Sequence, residues 1–202
     1  MMVRSPSPAD GSPPAGRLAR PVALVGLMGA GKTSVGKRIA SLLGVPFVDS
    51  DVEIETAAAM SISEIFARLG EPAFRDGERR VITRLLAAPP CVIATGGGAF
   101  IDPGTRAVLK AKALSVWLRA DLDLLWDRVR DRPGRPLLAN ADPRGTLDAL
   151  LEARAPFYGL ADITVDSHRG ASHEVMARRV IDALHAHDLA RPDLPPVLEP
   201  QS

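Results

Sequence analysis

Residues 22–40 read VALVGLMGAGKTSVGKRIA, an apolar run followed by a glycine-rich segment and a helical pattern. The run Val22–Val25 is typical of a strand that is buried on both faces of a parallel sheet. The spacing of the apolar residues predicts a helix over residues 33–43. Between the two, GLMGAGKT at residues 26–33 matches the pattern G-x-x-x-x-G-K-S/T in the strand, loop and helix context that the pattern requires. The segment therefore predicts a loop whose backbone N–H groups bind nucleotide phosphates.

The side chains at the end of this loop have separate tasks in such a site. Lys32 is expected to reach the β- and γ-phosphates of the nucleotide and to act in catalysis. The hydroxyl of Thr33 is expected to help hold Mg²⁺. An ordinary glycine-rich turn between a strand and a helix is the alternative interpretation. The predicted nucleotide-binding residues of the loop are Gly29, Ala30, Gly31, Lys32, Thr33 and Ser34.

Short β-rich stretches continue to alternate with helical ones beyond this segment. Further strands are predicted at residues 45–51, 91–94, 114–118 and 162–165. Strands that alternate with helices indicate a parallel sheet covered by helices. We therefore predict one α/β domain over residues 21–187, built as a three-layer, doubly wound, five-stranded parallel sheet. In such a sheet, ligands bind beyond the carboxyl ends of the strands.

Proline-rich stretches flank this domain, and both are predicted to be tails: residues 1–20, expected to be disordered, and residues 188–202. Inside the domain, RPGRPLLANADPRG at residues 132–145 breaks all periodicity. Loops of this length inside a compact domain are usually functional lids or disordered segments. We predict a mobile lid here. The run at residues 127–135 contains four arginines interleaved with Asp127 and Asp131, and a solvated, charged helix end is the usual explanation of such a run.

The overall composition argues against several classes of protein. The chain has 202 residues and a formal net charge of +1, so no global charge draws it to nucleic acid or to an anionic membrane. No apolar run approaches the ~18 residues of a membrane helix, and the first residues lack the apolar region of a secretory signal. The single cysteine suits a reducing compartment. We expect a cytoplasmic monomer that binds neither nucleic acid nor membrane.

The scarcity of asparagine and glutamine limits the classes of nucleotide-binding protein that fit this sequence. Asn140 is the only asparagine and Gln201 the only glutamine, and Gln201 lies in the C-terminal tail. A GTPase that positions its attacking water with glutamine is therefore excluded. A guanine-reading N-K-x-D motif cannot be written either, because alanine follows Asn140.

Two acids end the second predicted strand. Asp49 and Asp51 are two residues apart, so in extended geometry their side chains leave on the same side. Phosphoryl transfer needs one carboxylate to help hold Mg²⁺ and another to orient and deprotonate the incoming hydroxyl. Asp51 as a simple N-cap of the next helix, with Asp49 solvated, is the alternative.

Six motifs give a more specific indication. GLMGAGKT, FVDSD, AFRDGE, ATGGG, RPLL and EARAPFY occur in the order and at roughly the spacing seen in shikimate kinases, and the chain resembles that family from about residue 22 to residue 187. The resemblance implies a nucleoside-monophosphate-kinase-like, P-loop fold with a closing lid. It also implies transfer of the γ-phosphoryl group of ATP to the 3-hydroxyl of shikimate, with Mg²⁺ as cofactor.

The resemblance assigns the acceptor site to four residues. Asp51 would hold the shikimate hydroxyls and act as the base or as the group that orients the acceptor, and Gly97 would donate its N–H to a hydroxyl. Arg75 and Arg154 would bind the shikimate carboxylate, a task that suits the planar guanidinium group. For Arg75, a surface ion pair with Glu78 on the same helix face is the alternative.

On the nucleotide side, the resemblance implies that Asp49 supports Mg²⁺ alongside Thr33. Arg135 would move in with the lid toward the phosphates and act in catalysis, and Arg169 is the nearest candidate for an adenine contact. Other small-molecule kinases, acting on gluconate or a nucleoside monophosphate, share the phosphate loop and remain an alternative. A module that binds ATP without transferring its phosphate is another.

Overall fold

Seven strands and seven α-helices make up the part of the chain that the computed structural model describes, residues 17–131 and 136–199. The strands are β1 (Arg17–Leu18), β2 (Val22–Val25), β3 (Phe47–Asp49), β4 (Val92–Ala94), β5 (Leu114–Arg119), β6 (Ile163–Asp166) and β7 (Leu198–Glu199). The helices are α1 (Lys32–Leu43), α2 (Ser50–Ala58), α3 (Ile62–Leu85), α4 (Pro103–Lys112), α5 (Leu122–Val129), α6 (Pro143–Tyr158) and α7 (His173–Ala190). A short 3-10 helix spans Pro136–Leu138.

Five of the strands form one parallel sheet in the order β3-β4-β2-β5-β6. This confirms the predicted five-stranded α/β sheet. The central strand β2 is completely buried, as its continuous apolar sequence predicts. Because β3, β4 and β2 are adjacent and parallel, the loops that follow their carboxyl ends lie side by side. Those loops include the glycine-rich segment, the two acids and the triple glycine.

Helices cover both sides of the sheet, as a doubly wound fold requires. Helix α1 packs against α7 and β4, and α4 packs against α3 and β5. The core between these layers is built from fully buried side chains such as Leu24, Ile39, Ile93 and Leu118. Burial of this apolar surface holds the strand ends, and therefore the loops after them, in fixed positions.

The ends of the described chain differ from the predicted tails, because both are packed on the domain. Strand β1 pairs antiparallel with β7, and Val197 and Leu198 are buried. The carboxylate of Asp188 accepts hydrogen bonds from the backbone N–H groups of Val197 and Leu198 at 2.9–3.0 Å. The boundaries of 21 and 187 were therefore too narrow, since this apolar pair within the proline-rich segment joins the core. The expected disorder of residues 1–16 lies outside the described residues.

Helix termini follow the capping chemistry of the sequence, with one consequence for the predicted lid. Ser61 and Glu64 form a capping box at the start of α3, and Gly70 interrupts that helix with a φ of 78°. Asp142 caps α6, which begins at Pro143. Residues 143–145 of the predicted loop are thus helical, because aspartate followed by proline starts this helix as it starts α4 at Pro103.

Candidate active site

The glycine-rich loop after β2 adopts a backbone that only glycine accommodates easily. Gly26, Gly29 and Gly31 have positive φ angles of 135°, 85° and 95°. A Cβ atom on Gly29 would lie 2.8 Å from Cγ1 of Val129, so no larger residue fits there. Helix α1 begins directly after Gly31, which has no side chain to cap the first N–H groups. The loop and the helix start therefore present N–H donors to an anion.

Lys32 lies across this loop. Its Nζ atom donates hydrogen bonds to the backbone carbonyls of Gly26 at 2.7 Å and Leu27 at 3.1 Å. The ammonium group borders a cavity of about 280 Å³ above the carboxyl ends of the strands. The predicted loop residues that line this cavity are Gly29, Gly31, Lys32, Thr33 and Ser34, whereas Ala30 is buried. The motif therefore converges on one space large enough for phosphate groups.

The two acids after β3 also line this cavity, but not in the predicted geometry. Asp49 ends the strand, and its Oδ1 atom accepts a hydrogen bond from the backbone N–H of Asp51 at 3.1 Å. Asp49 is thus the N-cap of α2, and Asp51 lies in the first turn of that helix. The expectation of two side chains leaving an extended strand together was wrong, and so was the alternative in which Asp51 is the cap. Capping by Asp49 leaves the carboxylate of Asp51 available to the cavity.

Asp49 makes a second contact that joins the acids to the phosphate loop. Its Oδ2 atom accepts a hydrogen bond from Oγ1 of Thr33 at 2.9 Å. The carboxylate and the hydroxyl together are oxygen donors of the type that Mg²⁺ prefers, since this ion is usually bound through one or two carboxylates, substrate phosphates and water. The residues predicted for the metal therefore fit the ion chemically.

Asp51 lies in a more enclosed and more charged environment. Burial, together with the neighbouring carboxylate of Asp49, raises its pKa above the ordinary value, and Lys32 and Arg75 oppose that rise. A Cβ atom on Gly96 would lie 2.5 Å from Oδ1 of Asp51, so the bare backbone of the triple glycine makes room for this carboxylate. A carboxylate with a raised pKa is a stronger base than a solvated aspartate.

The backbone after β4 is held close to these acids. The N–H of Gly96 donates to Oγ of Ser50 at 3.1 Å. The carbonyl of Gly97 accepts hydrogen bonds from Nη1 of Arg154 at 3.3 Å and from the hydroxyl of Tyr158 at 2.5 Å. The triple glycine is thus a loop that is anchored from both sides and borders both cavities.

Arg75 and Arg154 meet at a second cavity, of about 590 Å³, which Gly98 also lines. The two arginines come from different helices, α3 and α6, and are 79 positions apart in the sequence, as the difference between their numbers shows. Guanidinium groups bind carboxylates with a planar pair of N–H donors. This cavity therefore suits a small carboxylic acid.

The ion pair of Arg75 with Glu78 exists, but it is not a surface pair. Nη1 of Arg75 donates to Oε2 of Glu78 at 2.7 Å, and the Glu78 side chain is only 1% exposed. Burial is the main cause that raises the pKa of Glu78 to about 7, and the hydrogen bond from Arg75 opposes it. Oε1 of Glu78 is buried without a hydrogen-bond partner among the described residues. The sequence did not reveal this residue, because an arginine and a glutamate three apart are usually solvated.

The buried Glu78 predicts an unusual pH dependence of stability. Unfolded Glu78 loses its proton near 4.5 and the folded residue near 7, so the free energy of unfolding falls as the pH rises between these values. Glu78→Gln removes the titration, and the free energy of unfolding of this variant relative to the parent should rise by roughly 3 kcal/mol between pH 4.5 and pH 8. Urea unfolding at both pH values measures it.

The matched control for that comparison is Glu71→Gln. Glu71 is the second carboxylate partner of Arg75, but its side chain is 64% exposed. Its variant should show a much smaller change relative to the parent. A relative stability of Glu78→Gln that is the same at both pH values would mean that Glu78 is not buried as described.

Arg169, a residue of the predicted nucleotide site, is described but is not among the residues that line the cavity. Arg169 is exposed and forms an ion pair with Asp127, and its assignment to an adenine contact stays a prediction. Arg135 lies outside the described residues, and its role stays a prediction.

Arg128 contacts the phosphate loop, which the sequence did not predict. It was assigned to a solvated helix end, but its Nη1 atom donates to the carbonyl of Gly29 at 3.2 Å and its Nη2 atom to Oγ of Ser167 at 3.1 Å. Burial lowers its pKa. Arg128 borders the nucleotide cavity together with His173, the first residue of α7. Only the tertiary fold, which brings α5 against the loop, distinguishes Arg128 from the other arginines of its run.

The fold and the cavities together indicate the class to which this protein belongs. Beyond the carboxyl ends of the parallel sheet lie a phosphate-binding loop, an enclosed aspartate beside it and an arginine-lined cavity. This combination is typical of a P-loop kinase that acts on a small molecule. A family model described as "Shikimate kinase" matches residues 28–185. The chain belongs to the shikimate kinase family, which confirms the resemblance seen in the six motifs.

Individual relatives agree with this family. A shikimate kinase of Ruegeria pomeroyi is 57% identical over 170 residues, which cover 84% of this chain and 87% of the relative. A shikimate kinase of Paramagnetospirillum magneticum is 60% identical over 152 residues, covering 75% and 78% of the two chains. The solved structure of shikimate kinase from Acinetobacter baumannii in complex with shikimate has a TM-score of 0.79 at 37% identity and covers 84% of this chain and 95% of that one.

A more distant structure shares the fold alone. A gluconokinase from Sinorhizobium meliloti has a TM-score of 0.59 at 20% identity. Because the chain belongs to the shikimate kinase family, it is an ATP-dependent small-molecule kinase. In the described part of the chain, none of the helices has the length and apolar character needed to span a membrane.

Proposed function

We propose that this chain transfers the γ-phosphoryl group of ATP to the 3-hydroxyl of shikimate, giving ADP and shikimate 3-phosphate. The observation that carries the proposal is the pair Arg75 and Arg154 at one cavity, next to the loop that connects it with Asp51. Shikimate has a carboxylate at one end of its ring and hydroxyls at the other. An acceptor site with cations at one end and a carboxylate base at the other is complementary to that molecule.

On the acceptor side, Arg75 and Arg154 bind the carboxylate and thereby orient the ring. The N–H of Gly97 donates to a ring hydroxyl, and Asp51 accepts hydrogen bonds from the hydroxyls near the phosphate loop. Asp51 then takes the proton of the 3-hydroxyl as the phosphoryl group is transferred. Its buried position and raised pKa support this role.

On the nucleotide side, the N–H groups of residues 29–34 surround the phosphates, and Lys32 neutralises charge on the transferred group. Thr33 and Asp49 would hold Mg²⁺, and the bound ion would supply further neutralisation of the phosphate charge. Arg135, which lies outside the described residues, would neutralise charge on the phosphates. We propose this last contact from the family resemblance of RPLL alone.

The competing functions make different demands on the site. A gluconate or nucleoside monophosphate kinase shares the phosphate loop, but it does not need Asp51, Arg75, Gly97 and Arg154 in one arrangement. A module that only binds ATP has no use for an enclosed carboxylate base.

We further propose that the enzyme is a cytoplasmic monomer. The buried thiol of Cys91, the only cysteine, fits a reducing compartment.

A coupled assay of ADP release tests the proposal. With Mg-ATP, the chain should turn over in the presence of shikimate and should show no turnover above the acceptor-free background with gluconate, AMP or CMP. The acceptor-free reaction is the control for ATP hydrolysis. A chain that binds ATP but shows no shikimate-dependent release of ADP would contradict the proposed reaction.

A further inference from the structure

Tyr158 is the only tyrosine of the chain and ends helix α6. Its residue exposure is 0%, and its ring packs at a tilt against Trp117, with 5.9 Å between the ring centroids. Its hydroxyl donates a hydrogen bond of 2.5 Å to the carbonyl of Gly97. A buried tyrosine hydroxyl normally has a hydrogen-bond partner. The partner of this hydroxyl lies in the loop that faces the acceptor.

The loop that Tyr158 contacts needs an external anchor. Three consecutive glycines, residues 96–98, have more backbone freedom than any other sequence of that length. Ser50 holds the N–H of Gly96 on one side. On the other side, the carbonyl of Gly97 is held from helix α6, by Tyr158 and Arg154. The hydroxyl of Tyr158 makes the shorter of these two bonds.

Arg154 and Tyr158 are four residues apart on α6, so they project from the same face of that helix. Both converge on one carbonyl oxygen, Arg154 at 3.3 Å and Tyr158 at 2.5 Å. An arginine that binds a substrate carboxylate must give up part of its bonding to the protein. Gly97 is partly buried, and a carbonyl shielded from water costs stability when it is left without a partner. The hydroxyl of Tyr158 keeps the carbonyl satisfied when the arginine turns to the substrate.

We infer that Tyr158 is a positioning residue of the acceptor site: its hydroxyl fixes Gly97 and lets Arg154 exchange the Gly97 carbonyl for the carboxylate of the acceptor. This inference rests on the proposed function for the identity of the acceptor. Burial also raises the pKa of Tyr158 to about 12, so the hydroxyl remains a donor at all pH values at which the enzyme is assayed.

The first test is Tyr158→Phe, which keeps the packed ring and removes only the hydroxyl. The KM for shikimate should rise by about tenfold, the loss of roughly one buried hydrogen bond. The KM for ATP should stay within about twofold of the parent value, because the phosphate loop does not depend on this bond. An unchanged KM for shikimate would overturn the inference.

Ser115→Ala is the matched control. Ser115 is also a buried hydroxyl, and it donates to Asp162 at 2.6 Å. It lies near the start of β5, at the end of the sheet away from the cavities. Its loss should lower stability but leave the KM values for shikimate and ATP unchanged. A rise in KM for shikimate equal to that of Tyr158→Phe would show that general destabilisation, and not positioning, causes the effect.

The second test works even if Tyr158→Phe does not fold. Because Tyr158 is the only tyrosine, growth on 3-fluorotyrosine places one fluorine probe at this position of the full chain. Its fluorine NMR resonance should shift when shikimate is added and stay in place when ADP alone is added. No shift at saturating shikimate, in a protein that turns shikimate over, would overturn the inference. A protein without shikimate turnover would instead contradict the proposed function.

Discussion

Replacement of Asp51 by asparagine is expected to lower kcat for phosphoryl transfer to shikimate by about 10²–10⁴, the usual contribution of a general base. Asparagine has the shape of aspartate but cannot take the proton of the acceptor hydroxyl. The affinity for ATP should remain close to that of the parent, because Asp49 and Thr33, not Asp51, make the contact that joins the acids to the phosphate loop. Steady-state kinetics and ATP titration together measure both effects.

Glu53→Gln is the control for the Asp51 variant. Glu53 lies two residues further along α2 and pairs with Arg84 at 2.8 Å, away from the cavities. Its variant loses the same charge from the same helix and should keep parental turnover. An Asp51→Asn enzyme with undiminished kcat would remove this residue from the role of base. Weakened ATP binding without a loss of kcat would assign it to the nucleotide instead.

Arg154→Ala should raise the KM for shikimate by roughly 10- to 150-fold, the effect of losing a hydrogen bond to a charged group of about 1.5–3 kcal/mol. The KM for ATP should change little, because Arg154 lines the acceptor cavity and not the nucleotide cavity. Arg154→Lys keeps the charge without the planar pair of donors and should fall between alanine and the parent. Initial rates at varied shikimate and saturating Mg-ATP measure these values.

Arg144→Ala provides the comparison on the same helix. Arg144 is half exposed and forms a surface ion pair with Asp123. Surface pairs of this kind contribute little to stability, so its variant should behave like the parent. If Arg144→Ala and Arg154→Ala raise the KM for shikimate equally, the carboxylate-binding role of Arg154 is wrong.

Local patterns predicted the parts of the fold that depend on neighbouring residues. The continuous apolar run Val22–Val25 predicted the central strand, and the apolar spacing over residues 33–43 predicted helix α1, which spans Lys32–Leu43. The phosphate loop was predictable for the same reason, since its glycines and Lys32 act within eight consecutive residues. These features could be predicted because their physical causes act between residues that are close together in the sequence.

The remaining features depend on contacts between distant parts of the chain. The burial of Glu78 depends on the packing of the loop at residues 96–98 against α3, which no pattern within one helix indicates. The contact of Arg128 with Gly29 joins residues 99 positions apart. Asp49, and not Asp51, is the N-cap because helix α2 begins at Ser50, directly after the strand. The burial of Glu78 and the contact of Arg128 are thus effects of tertiary packing, whereas the roles of the two aspartates follow from the start of a helix.

Phosphorus NMR of the reaction product tests the central claim most directly. Shikimate incubated with Mg-ATP and the chain should give ADP and a single phosphomonoester, whose phosphorus couples to the proton on carbon 3 of the shikimate ring. This result requires both the arginine-bound carboxylate and the placement of one hydroxyl at Asp51. A phosphate on another hydroxyl, or no phosphomonoester from a chain that binds both ligands, would contradict the account.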